Sequence, residues 1–144
     1  MVELIIIPIL VGIITQVIKL SIDGIPNNLN WQHLFSDYGG MPSSHTAFVT
    51  ALVTSLGLKG GLNSPAFAVA VVLLLVVIKD AMGFRREIGR NAAATNVITK
   101  EVFKSKRGVG LLNERIGHTP LEVLAGLVTG VVLTLAVYGL FILL

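Results

Sequence analysis

Hydrophobic residues fall in long runs along this chain, and polar residues gather between the runs. Val2 to Ile22 is apolar over about the 20 residues a helix needs to cross a bilayer. Pro8 predicts a kink in it, and Gln16 and Lys19 are its polar interruptions. Asp23 to Met41 reads as loop, because Gly24, Pro26, Asn27, Asn28, Asn30, Gly39 and Gly40 break the pattern. Trp31, Phe35 and Tyr38 within it suit the membrane interface, where amphipathic rings settle. A second helix is predicted from about Pro42 or Ser43 to Leu58, rich in the small residues that let buried helices approach closely. Lys59 to Ser64 reads as a tight turn, and Pro65 to about Met82 is the strongest span, apolar without a break from Ala66 to Ile78.

From Lys79 to Gly117 the pattern changes. This stretch carries Arg85, Arg86, Arg90, Lys100, Lys104, Lys106, Arg107 and Arg115. Asn91 to Phe103 predicts an amphipathic helix at the interface, and Ser105 to Leu112, with Gly108 and Gly110, a flexible loop. A last span runs from Thr119 to Leu144. Thr119 as N-cap, Pro120 at the first helical position and Glu122 at the third mark its start. The expected fold is all-α: a polytopic transmembrane helical bundle of about four spans plus an interfacial helix, one membrane-embedded domain over residues 1–144.

Composition supports lipid as the solvent. Only 13% of the 144 residues are charged, against about 25% in a soluble domain, and mean hydropathy is +0.83. No basic region precedes the first apolar run and no small-residue cleavage site closes it, so it reads as a retained span rather than a signal peptide. The chain has no cysteine, which excludes disulfides, a thiolate nucleophile and a Cys-based zinc site. The net charge of +3 matters through its distribution. The positive-inside rule puts Lys79–Arg115 in the cytoplasm. With four spans, both termini then lie outside. The polar ends of all spans meet at the cytoplasmic face of the cell membrane, gathering Lys19, His45, Asp80, Arg85, Arg86, His118 and Glu122.

Three clusters on that face carry candidate chemistry. In Gly39-Gly40-Met41-Pro42-Ser43-Ser44-His45-Thr46, glycines precede a helix start whose free N–H groups and dipole favour an anion. The alternative is that Ser43 or Ser44 is only an N-cap and His45 faces water. In Asp80-Ala81-Met82-Gly83-Phe84-Arg85-Arg86-Glu87, the arginines are either a bidentate phosphate clamp or ordinary positive charge at a helix end. Asp80 follows a long apolar run, where a carboxylate is usually paired, and Arg85 or Arg86 is its obvious partner. In Gly117-His118-Thr119-Pro120-Leu121-Glu122, the four-residue spacing sets Glu122 on the same helix face as His118, where a carboxylate fixes the imidazole tautomer and raises its basicity. Thr119-x-x-Glu122 is also a capping box, and the two roles are compatible. Lys19 either snorkels or binds phosphate. Two histidines, several cations and a carboxylate suit phosphoryl transfer through a phosphohistidine.

These three motifs resemble the divergent branch of the type 2 phosphatidic acid phosphatase superfamily, also described as acid phosphatase/vanadium-dependent haloperoxidase-related, and the likeness covers essentially the whole chain. The resemblance implies a helical, metal-independent enzyme without a cofactor. His118 would be its nucleophile, Glu122 the group that orients it and His45 the proton donor. Ser44 stands where the superfamily's Pro-Ser-Gly-His has glycine, and Glu122 where its last motif has aspartate. Lys19 matches the lysine of its first motif and Pro26 the proline, but no arginine precedes Pro26. Leu112 occupies the place of the last motif's arginine, and Arg115 lies only three residues before His118. The phosphate contacts are therefore expected from Lys19, Ser43, Ser44, Arg85 and Arg86, with Asp80 in support.

The leading expectation is a membrane lipid-phosphate phosphatase acting on a phosphomonoester or diphosphate, its partners being the lipid substrate and the bilayer, with no nucleic acid. The small size admits a homodimer that completes a cavity. A binding or scaffold protein that holds anionic head groups without turnover is the second reading. A metal-dependent enzyme built on Asp80, Glu122 and the histidines ranks last, because the carboxylates are few and the cations many.

Overall fold

The structure is a computed structural model that describes residues 2–23, 39–103 and 110–143. Among these residues lie five helices: α1 (Glu3–Asp23), α2 (Ser44–Gly60), α3 (Pro65–Met82), α4 (Phe84–Phe103) and α5 (Pro120–Leu143). The fold is all-helical, as the apolar runs predict. Of the loop expected over Asp23–Met41, residues 24–38 lie outside the described residues, with Pro26, Trp31, Phe35 and Tyr38 among them; so do residues 104–109 of the second loop.

Each start follows local chemistry. Ser43 caps α2, its Oγ accepting from the Thr46 amide. Ser64 caps α3 ahead of Pro65 and accepts from Phe67 N at 3.2 Å. The capping box forms at α5: Thr119 N donates to Glu122 Oε2 at 2.8 Å and Glu122 N to Thr119 Oγ1 at 3.4 Å. Pro8 lies buried inside α1, and the helix runs through it.

α1, α3 and α5 are long and apolar enough to cross a membrane. Among the described residues α2, the remaining predicted span, is the shorter one. α2 has 17 residues, about 26 Å at 1.5 Å per residue, and it packs against all three of the others. An ion pair between Lys59 and Glu3 joins the end of α2 to the start of α1, so these two helices are antiparallel. The broad outer surface is aliphatic, with Ile5, Ile13, Val17, Val69, Leu75, Val76, Val128 and Leu135 exposed.

The inner contacts are made by small residues. A helix pair in lipid gains nothing from hiding leucines that lipid would accept equally, so close approach carries the packing. A Cβ on Gly126 would lie 2.6 Å from Ser43 O, and one on Gly130 would lie 2.7 Å from both Ala47 O and Thr50 Cβ. These two glycines let α5 lie directly on the backbone of α2. Thr134, one turn further on, is fully buried and returns its hydroxyl to Gly130 O at 2.6 Å. Ile7, Val11 and Ala51 form the apolar core, flanked by Leu133, Val137 and Tyr138.

α4 begins seven residues before the predicted Asn91, because the chain resumes helix at once after Gly83. The break there is real: Gly83 has ψ −92°, well off the helical value of about −42°.

Gly130→Ala is expected to destabilise the bundle by about 1–3 kcal/mol through overpacking. Gly139→Ala, whose Cβ meets nothing within 4 Å, should leave thermal unfolding in detergent unchanged or slightly raised. Equal melting temperatures for the two variants would refute the close α2–α5 contact.

Candidate functional site

The helix directions bring one end of each span together. α1 ends, α2 begins, α3 ends and α5 begins at the same face of the bundle, so Lys19, His45, Asp80, His118 and Glu122 share that face, as the sequence topology requires.

Main-chain hydrogen bonds hold the three motifs to one another. Gly39 N donates to Arg115 O at 2.7 Å, and Ser43 N to Glu122 O at 3.1 Å, tying the first motif to the third. His118 N donates to Ala81 O at 3.0 Å, tying the third to the second. Ala81 is in the last turn of α3, where carbonyls have no intrahelical donor. Glycines make these approaches possible. A Cβ at Gly39 would stand 2.5 Å from Gly117 O, and one at Gly117 would stand 2.5 Å from Arg86 N. Gly117 also has φ +93°, a conformation that favours glycine.

Residues 112–117 form a strap along α4. Buried Asn96 donates from Nδ2 to Leu112 O and to Glu114 Oε1, and accepts from Leu112 N at Oδ1, each at 2.8 Å. Gly89, one face with Asn96, leaves room for the carbonyls of Glu114 and Ile116. The sequence pattern does not single out Asn96. Its signal is the spacing of Gly89, Ala92 and Asn96, a small and polar stripe in a helix otherwise read as simply amphipathic.

The strap delivers His118, whose side chain is only 8% exposed. Its Nδ1 lies 3.2 Å from Glu122 Oε2. A carboxylate accepts, so Nδ1 carries the proton and the Nε2 lone pair is left for chemistry. The same Oε2 also takes the Thr119 amide, so capping and orientation run through one oxygen. Burial depresses the His118 pKa, the positive charge of Lys19 depresses it further, and His45 adds a smaller push in that direction; the charge and hydrogen bond of Glu122 oppose them. Lys19, 6% exposed on α1, and His45, exposed on the first turn of α2, are thus both within electrostatic reach of His118.

The remaining candidates divide. Arg85 Nε lies 2.5 Å from Asp80 Oδ2, so Asp80 has the partner its setting demands. Arg86 has an exposed side chain, and its main chain faces Gly117. Ser43 is fully buried, its hydroxyl engaged with Thr46 Oγ1 at 2.9 Å in the cap; Ser44 is half-buried. Among the described residues no three His, Asp or Glu side chains converge as a metal site would require.

These features define a helical membrane protein with a carboxylate-oriented histidine beside a buried lysine at one bundle end. The chain belongs to the Divergent PAP2 family, which it matches over residues 2–133. It is 39% identical over 142 residues to "Uncharacterized membrane protein YuiD" of Bacillus subtilis (strain 168), covering 90% of this chain and 89% of that protein. No solved structure matches it.

The His118 ring should titrate below the usual value of about 6.5 when followed by NMR. Glu122→Gln should lower its midpoint further, and Lys19→Met should raise it. The stability that neutral His118 contributes is fully present above about pH 6.5 and lost as pH falls through the folded value. Midpoints unmoved by both substitutions would disprove this charge arrangement.

Proposed function

We propose that the protein is a membrane lipid-phosphate phosphatase working through a phosphohistidine. The observation that carries the reading is the buried His118 imidazole: burial and the charge of Lys19 favour its neutral form, and the contact with Glu122 holds the proton on Nδ1, so that Nε2 is free. Membership of a PAP2-related family supports it. In the first step Nε2 attacks phosphorus and the bond from phosphorus to the lipid oxygen breaks. Protonated His45 gives its proton to the departing oxygen. In the second step water attacks the phosphohistidine, neutral His45 takes the proton from water, and phosphate leaves with His118 restored. Lys19 offsets charge on the phosphoryl oxygens. Arg85 is held by Asp80 at the same bundle end, and Arg86 follows it; both are the proposed cationic support.

The basic segment after α3 supports a cytoplasmic site under the positive-inside rule. The aliphatic exterior supports a substrate with acyl or prenyl chains. Among the described residues nothing at the polar end selects a head group beyond its phosphate.

Purified protein in nanodiscs, given phosphatidic acid, phosphatidylglycerophosphate or a prenyl diphosphate, should release inorganic phosphate from at least one, in excess chelator. His118→Ala should abolish release while the protein stays folded, and His45→Ala should slow it by about 10²–10⁴-fold. Turnover retained in His118→Ala would overturn the mechanism. Saturable lipid binding without any release would favour the anion-binding scaffold instead.

A further inference from the structure

We propose that α4 is a membrane-docking helix, lying along the lipid surface with one apolar edge sunk into the boundary between headgroups and acyl chains. Its side chains sort into three faces. Gly89, Ala92 and Asn96 face the strap and are buried. Arg86, Arg90 and Glu101 lie on a second, exposed face that also carries Val97. Phe84, Ile88, Ile98 and Val102 form a third edge, 53% to 70% exposed. At 3.6 residues per turn these four fall within roughly an 80° arc.

Among the described helices α4 packs substantially only against α3, its neighbour in sequence, and not against α1, α2 or α5. Among the described helices the apolar edge therefore has no cover. A helix with one apolar edge, a charged face opposite and low overall hydrophobicity is the kind that rests in the interface plane.

Two observations select lipid as the occupant. First, α4 begins one residue after α3, a span whose aliphatic residues are exposed along its length. The edge thus opens where the lipid-facing surface of α3 ends. Second, Asn91 and Thr95 lie within the same arc, between the two apolar pairs, and both are exposed. Thr95 already gives its hydroxyl to Asn91 O at 2.8 Å, but a headgroup layer with its water accepts the Asn91 side-chain amide, whereas a dry seam with a second copy would have to pair it. Because the strap is clamped to α4, docking also sets the depth of His118 below the headgroups. That consequence rests on the phosphatase reading; the docking does not.

The chain has no cysteine, so a single introduced one reports alone. Full-length Ile98→Cys and Arg90→Cys, each carrying an environment-sensitive fluorophore, are placed in nanodiscs of phosphatidylcholine and phosphatidylglycerol at one copy per disc. The label at 98 should emit further to the blue and be quenched by lipid spin-labelled near the headgroup. The label at 90 should be quenched by aqueous iodide. Ile88→Cys gives a second reading of the edge should Ile98→Cys fold poorly. Equal iodide quenching at 98 and 90 overturns the proposal. So does protection at 98 that arises only with two copies per disc, which would make the edge a self-association seam. No readout depends on phosphate release, so inactivity toward lipid phosphates leaves the result unaffected.

Discussion

His118 is placed by main chain before it is tuned by side chains. Its amide is bonded to Ala81 in the last turn of α3, its preceding residue lies against the backbone of Arg86, and Glu122, one turn later, accepts from Ser43 through its carbonyl. The Ala81 carbonyl, in the last turn of α3, and the Ser43 amide, at the N-cap of α2, are backbone groups that a helix end leaves without an intrahelical partner. Near a bilayer such groups are expensive to leave unmet. Pairing the ends of different helices therefore satisfies them and assembles the site in the same act. Gly39, Gly117, Gly126 and Gly130 are where a side chain would forbid it.

The side chains then work on a fixed frame. Lys19 is buried, and its charge bears on an imidazole that burial already keeps neutral. Glu122 opposes both effects while holding the proton on Nδ1. Since its Oε2 also receives the Thr119 amide, fraying of the first turn of α5 would release the imidazole together with the cap. Helix stability and histidine orientation are thus one local equilibrium.

Much of this was legible in the residues. The apolar runs locate α1, α3 and α5, and Thr119-Pro120-x-Glu122 marks a helix start that forms as read. Charge bias and the number of runs bring the polar ends together. Asp80 demanded a partner, and Arg85 is that partner. The start of α4 was harder, because Phe84–Arg90 offers only Phe84 and Ile88 as large apolar residues among Arg85, Arg86, Glu87 and Arg90, and its buried face is defined by contact with the strap. Asn96 was hidden for the same reason: its partners are the carbonyl and amide of Leu112 and the side chain of Glu114, 16 and 18 residues away. Local periodicity contains no record of such a contact.

The short α2 gives the site its depth. α1 has 21 residues and α2 has 17, and they are joined at the far face by Glu3 and Lys59. α2 therefore starts about four residues, roughly 6 Å at 1.5 Å per residue, before α1 ends. Lys19, four residues before Asp23, is level with that start. A lysine this far inside a span is stabilised only by opposite charge or by polar groups around it. The charge of Lys19 acts on the His118 imidazole, the ring that also interacts with Glu122 and His45. On the proposed reading, the buried Lys19 and His118, rather than an arginine clamp at the positions used elsewhere in the superfamily, would suit a ligand that carries its negative charge on a membrane-anchored chain. In the proposed mechanism the lipid chain would stay beside the aliphatic faces of the bundle, and its phosphate would meet Lys19 and His118 at a depth that a soluble anion reaches only by leaving water.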